Sequence, residues 1–133
     1  MADPLYYVDH SDLLEGRLDE ARSAMRDLAA FIEENEPRLI AYRFFVDEAQ
    51  ATMTLLAVHP DSASLESHLE LGGPRFRAFA ELIRMRSIDV YGRPSPAAVD
   101  RLRQKATMLG GGTVTVHSPQ AGFSRLQPPD QVK

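Results

Sequence analysis

Three of the four histidines in this chain stand where imidazole could do chemistry. His10 follows an apolar and aromatic run, His59 closes another, and His68 sits among leucines in SLESHLEL. An imidazole with an ordinary pKa near ~6.5 exchanges protons at neutral pH and can also hold a divalent metal. No His-x-His or His-x-x-x-His pair occurs, so no metal site is expected. His68 has two readings. It is a core histidine bonded to a backbone carbonyl, or it is a pocket base or hydrogen-bond donor to a phenol, enol or quinol. The second makes it the candidate catalytic residue.

His10 and His59 each precede a helix, and the sequence reading sets the first and third strands parallel, which brings both histidines to one edge of the sheet. Helix N-termini converging there would favour an anion. Asp9, Asp12 and Asp61 are close in sequence. Tyr42, Phe44, Phe76 and Phe79 are candidates for the wall of an aromatic pocket, with His10 and His59 near its mouth. Most of these rings, with Tyr6, Tyr7, Phe45 and Met53, are also what an ordinary core needs.

Elements must position these groups. Leu5 to Asp9 reads as a first strand, with His10, Ser11 and Asp12 as a polar turn. From about Gly16, Leu18, Ala21, Met25, Leu28, Ala29 and Ile32 recur at helical spacing, and Pro37 ends that helix by Asn35 or Glu36. Leu39 to Val46 and Thr52 to His59 make a hairpin around DEAQA. Both strands are apolar on both faces, so one face needs a partner, the physical ground for a homodimer. Pro60, Asp61 and Ser62 open a second helix that Gly72 and Gly73 should stop near Leu71. Pro74 then begins a short helix carrying Phe76, Phe79, Leu82 and Ile83. Ser87 to Tyr91 alternates as a fourth strand. The order is β-α-β-β-α-β, the ferredoxin-like plan of an α+β fold. An arm over 95–126 adds a helix from Ser95 and Pro96, the glycines 110–112 and a strand from Thr113 to His117. That strand is expected to pair with a sheet edge, that of a partner being one option. The chain reads as one domain over 1–126 with a flexible tail over 127–133.

Composition excludes several classes. A net charge of −4 without a block of Lys or Arg disfavours nucleic acid and anionic membrane surfaces. The absence of cysteine removes disulfides, thiolate metal sites and a Cys nucleophile. No apolar run approaches the ~20 residues of a membrane span or follows a basic leader, so a cytoplasmic location is expected.

Four stretches carry a resemblance: LEGRLDEARSAMRDLAAFIEENEPRLIAYRFF, VHPDSASLESHLELGGPRFRAF, SIDVYGRPS and AGFSR. In them the chain resembles the antibiotic biosynthesis monooxygenase-like family over roughly residues 5 to 126. The resemblance implies a ferredoxin-like domain that pairs into a dimeric α/β barrel. It includes cofactor-free oxygenases of polyphenols and quinols as well as haem-degrading enzymes. His68 falls where the haem-degrading relatives place their iron ligand and where some oxygenases keep a polar pocket residue. Those relatives also carry an asparagine on the first strand, where this chain has Tyr6 to Asp9. They have a tryptophan before the second helix, where this chain has His59 and Pro60. The expectation is therefore a cofactor-independent monooxygenase-like protein acting on an electron-rich aromatic or quinol-type molecule, with His68 as base and no cofactor. The alternative is a non-catalytic dimeric module that binds a small ligand or a partner.

Overall fold

The computed structural model describes residues 3–128. The tail expected beyond 126 lies, from residue 129, outside the described residues.

Five strands and three helices follow in the order β1 (Leu5–Leu13), α1 (Leu18–Asn35), β2 (Ala41–Asp47), β3 (Thr52–His59), α2 (Ser62–Phe76), β4 (Ile83–Tyr91), α3 (Pro96–Met108) and β5 (Thr113–His117). A 3-10 turn, Arg77–Phe79, links α2 to β4. The strands form one sheet in the order β2-β3-β1-β4-β5, antiparallel except for the parallel pair β4 and β5. The fold is α+β and ferredoxin-like, with α3 and β5 added at the sheet's end.

Helix boundaries follow local chemistry. Asp19 and Glu20 sit in the first turn of α1, where carboxylates favour the helix dipole, and Glu36 closes it with its amide donated to the Ile32 carbonyl at 2.9 Å. Asp61 caps α2 by accepting from the Ser64 amide at 2.9 Å. Ser95 caps α3 by accepting from the Ala98 amide at 3.1 Å, with Pro96 in the first turn. Met25, Leu28 and Ile32 of α1, Leu65, Leu69 and Phe76 of α2 and Ala98, Leu102 and Ala106 of α3 pack on the inner face of the sheet.

Four expectations change. His10, Ser11 and Asp12 are part of β1, not a turn, because the strand continues paired to β3 and β4 as far as Leu13. Gly72 and Gly73 do not stop α2, which runs through them and Pro74 to Phe76. Gly72 is instead a packing glycine, since a Cβ there would stand 2.8 Å from the Phe76 ring. Ile83 opens β4 rather than closing a helix. Finally, β1 runs antiparallel to β3, with Leu5 opposite His59 and His10 opposite Thr54. His10 is thus five residues, about 17 Å, along the strand from the level of His59. Its side chain is exposed on the opposite face.

The arm strand β5 pairs with this chain's own β4, Ser87 opposite Thr113 through Tyr91 opposite His117. Gly112 allows that approach, with φ +142° and the Met85 and Arg86 backbone 3.0 Å from where a Cβ would be.

Candidate active site

Strand alternation sends Leu5, Tyr7, Asp9, Ser11 and Leu13 of β1 inward, and all five are buried. Asp9 and Ser11 are polar residues on what should be an apolar face. Asp9 is met by Lys105, which reaches down from α3 with its side chain 5% exposed. The ammonium donates to Asp9 Oδ2 at 2.8 Å and to the Tyr7 hydroxyl. It also stands 4.3 Å from the centre of the Phe76 ring. Burial pushes the Asp9 carboxyl up and Lys105 pulls it back. Burial likewise raises the Tyr7 phenol, with the Asp9 charge adding to it.

A second polar group lies beside the first. His68, fully buried on α2, holds Glu36 through Nδ1 at 2.8 Å. Glu36, just past the end of α1, is raised to about 7 by burial. His68 is lowered to about 3, by burial first and the Lys105 charge second. The pair thus takes up one proton near pH 7, and His68 stays uncharged above the Glu36 titration. His59, at the end of β3, bonds Ser64 Oγ through Nδ1 at 2.9 Å and is lowered to about 2, mainly by burial and then by His68. The two imidazoles lie 5.3 Å apart, and His68 contacts the Tyr42 and Phe76 rings at 5.2 and 5.5 Å.

Four buried polar atoms of this region have no hydrogen-bond partner, Asp9 Oδ1, the Tyr42 hydroxyl, His59 Nε2 and His68 Nε2, and Ser11 Oγ, further along β1 and away from the histidines, is a fifth on the same face. Native interiors rarely leave such groups bare, so a cluster of them marks a place built for something other than packing. A cavity of about 20 Å³ is bordered by Asp9, Tyr42, Phe44, Phe76, Phe79 and Lys105 among others. A larger open cleft of about 910 Å³ runs between α1 and the edge strand β2 and shares Tyr42 and Phe44 with that cavity. Those two rings, 5.5 Å apart and edge to face, form the wall between the two spaces.

The structure therefore brings together His59, His68, Tyr42, Phe44, Phe76 and Phe79 and leaves His10 out. His68 adjoins the cavity through Tyr42 and Phe76 but is not part of its lining. Sequence reasoning missed Tyr7, Asp9, Glu36 and Lys105 as parts of one site. One signal was available. Lys105 falls in the inward spacing of Ala98, Leu102, Ala106 and Leu109, where a lysine needs a buried anion.

Across 98% of this chain and 99% of the other, the structure is similar to MupZ from Pseudomonas fluorescens, with a TM-score of 0.68 and 19% identity. At that coverage the match includes α3 and β5. SnoaB, a cofactor-independent oxygenase from Streptomyces nogalater, matches with a TM-score of 0.59 and 18% identity over 71% of this chain and 96% of its own. A Caulobacter crescentus protein described as a candidate antibiotic biosynthesis monooxygenase matches at 0.61 and 16% over 67% of this chain and 88% of its own. The fold is that of the antibiotic biosynthesis monooxygenase-like proteins. No protein-family model matches the sequence, and no curated protein does. Within the antibiotic biosynthesis monooxygenase-like fold, the described residues include no group of three or more His, Asp or Glu arranged to hold a metal. They also include no helix long and apolar enough to cross a membrane.

Proposed function

We propose that this protein is a cofactor-independent monooxygenase-like enzyme acting on an electron-rich aromatic or quinol-type molecule. The observation that carries the reading is the set of four bare, buried polar atoms on Asp9, Tyr42, His59 and His68 at the inner face of the sheet. The fold shared with a cofactor-independent oxygenase supports it. The ring of the substrate comes in from the cleft between α1 and β2 by displacing Tyr42 and Phe44.

In such a reaction the substrate supplies all the electrons. A phenol loses its hydroxyl proton and one ring C–H proton, and molecular oxygen places one atom on that carbon and leaves with the other as water, giving a quinone. The protein's part is orientation, exclusion of bulk water and the handling of two protons. His68 is the proposed acceptor of the carbon's proton. When Glu36 is ionised it accepts the Nδ1 hydrogen of His68, which leaves the Nε2 lone pair free. Activity should accordingly rise with pH through about 7, where Glu36 loses its proton. In the Glu36→Gln variant that rise should vanish.

The size of the inner cavity favours a second reading, a non-catalytic module for a small ligand or partner. Oxygen uptake on a panel of quinols and phenols decides between them. On the enzyme reading His68→Ala lowers turnover by about 10²- to 10⁴-fold with the fold intact. Uptake by no member of the panel would falsify it.

The chain is also proposed to form a homodimer through the outer face of the sheet. That face carries the cross-strand rows Ala41, Val58, Tyr6 and Tyr91, then Arg43, Leu56 and Val8. Phe45, Leu56 and Tyr91 are 50%, 38% and 42% exposed. A partner sheet over these rows would bury them.

A further inference from the structure

We propose that Asp9 and Lys105 together receive the hydroxyl of the ligand, Asp9 Oδ1 taking its proton and the Lys105 ammonium becoming the counter-ion of the oxygen left behind. This rests on the reading of the interior as a ligand site, but not on any use of oxygen.

The cavity beside the pair, about 20 Å³, has room for one water or one hydroxyl and nothing larger. Its lining is apolar apart from Asp9, Lys105 and Tyr42. Asp9 Oδ1 has no partner there, and a carboxylate oxygen can only accept. The occupant that satisfies it must therefore donate. The Tyr42 hydroxyl, also without a partner, can donate to or accept from the same occupant. A pair whose role was confined to stability would be better with both carboxylate oxygens bonded, since a half-satisfied buried network is worse than an apolar core.

Proton transfer at this place is balanced. The O–H bond of the ligand breaks, an O–H bond forms on Asp9, and the ligand oxygen keeps the electron pair. Lysine against carboxylate becomes lysine against oxyanion, so no net charge is created in a region where uncompensated charge is expensive. Burial shifts the Asp9 carboxyl upward while Lys105 pulls it back. The ligand class is an acidic phenol or enol, because an aliphatic alcohol is too weak an acid to give its proton to a carboxylate. The titratable groups acting on the pair are Tyr7 and His10 of β1, Tyr42 of β2, Glu36, and His59 and His68. Both buried histidines stay uncharged, which leaves Lys105 as the cation facing the cavity.

The test is a spectrophotometric pH titration of 4-nitrophenol, whose phenolate has its own visible band, with the full chain in excess and oxygen removed. Bound to wild type, the probe should keep its phenolate band to at least one pH unit below the free probe, a tenfold change in the phenol-to-phenolate ratio. Lys105→Met leaves Asp9 alone beside the oxyanion and should move the bound probe's midpoint above the free value. Asp9→Asn leaves Lys105 without its carboxylate and should move it further down. Opposite shifts are the signature that a purely structural ion pair cannot give. Should either single variant not fold, the double Asp9→Asn/Lys105→Met variant, which holds no lone buried charge, should bind the probe and lose the downward shift, its midpoint lying at or above the free value because burial alone disfavours the phenolate. The proposal is overturned by a wild type that leaves the probe titrating as in water, by equal shifts in the two single variants, or by a double variant that shifts it as wild type does. Loss of oxygen uptake with the nitrophenol shifts intact would retire the oxygenase reading alone.

Discussion

The two faces of the sheet depart from the ordinary pattern in opposite senses. The inner face, covered by helices, carries Asp9, Ser11, His59 and the ammonium of Lys105 where a core should be apolar. The outer face, open to solvent, carries Phe45, Leu56 and Tyr91 where a single chain should be polar. A sheet with one covered face normally alternates apolar inward and polar outward. Polarity buried inside suggests a site, and apolar surface left outside suggests a partner. The outer row Arg43, Leu56 and Val8 lies between two inner rows, Tyr42, Ala57 and Tyr7 on one side and Phe44, Leu55 and Asp9 on the other.

The inner face is the more fragile of the two. Removing one half of a buried ion pair strands the other charge, so Lys105→Met should destabilise by about 3–5 kcal/mol in urea unfolding. Asp9→Asn/Lys105→Met should recover most of that loss, because both charges leave together. A double variant no more stable than the single would show that Lys105 is needed for its packing on Phe76 and Tyr7 and not for its charge. On the outer face, Leu56→Lys should leave the protomer folded, within about 0.5 kcal/mol as for an ordinary surface change. The same change should abolish the dimer in light scattering. If wild type is a monomer at micromolar concentration, the outer apolar rows have another purpose.

The histidines test the inner face by pH. His59 and His68 have folded pKa values below the unfolded ~6.5, so their contribution is complete above that pH and is lost as pH falls toward 3 and 2. Each then weakens the fold by up to about 1.4 kcal/mol per pH unit. Glu36 has the opposite sign. Its folded value, about 7, lies above the unfolded 4.5, so its contribution is present in acid and lost as pH rises through that interval. Between pH 4.5 and 6.5 it offsets one histidine, and the loss on acidification from these three groups should be at most about 1.4 kcal/mol per unit, since Asp9, also shifted upward by burial, acts with the sign of Glu36. Denaturant midpoints at a series of pH values measure this. In His68→Asn the slope should flatten, and an unchanged slope would mean that His68 is solvated in solution.

Much of this architecture was legible in the sequence because period and punctuation carry it. The spacing of Ala21, Met25, Leu28 and Ile32 against Pro37 placed α1, and β3 and β5 fall on the bounds that their composition suggests. The site was less legible, since what assembles it is long-range. Asp9 looks like the polar end of an apolar run until Lys105, 96 residues later, is set against it. Glu36 looks like the last residue of a helix until His68 arrives from α2. Strand direction is not written in either apolar run. With β1 and β3 antiparallel, His10 and His59 part company.

The smallest expected effect separates two readings of the glycine pair on the inner face. If Gly72 and Gly73 weakened α2 equally, alanine at either would stabilise by up to about 1 kcal/mol through helix propensity. Gly73 has open space around a would-be Cβ, so Gly73→Ala should show that gain. At Gly72 the Cβ would lie 2.8 and 2.9 Å from the Phe76 ring, which is buried against His68 and beneath the Lys105 ammonium. The ring, packed on His68 and Lys105, must shift to make room, and overpacking of this kind costs about 1–3 kcal/mol. The net for Gly72→Ala is a loss of up to about 2 kcal/mol, opposite in sign to its neighbour. Thermal melts of the two single variants suffice to read the signs. Equal gains at both positions would mean that Phe76 has slack. The inner face would then be a looser seat for Lys105 than its buried contacts imply.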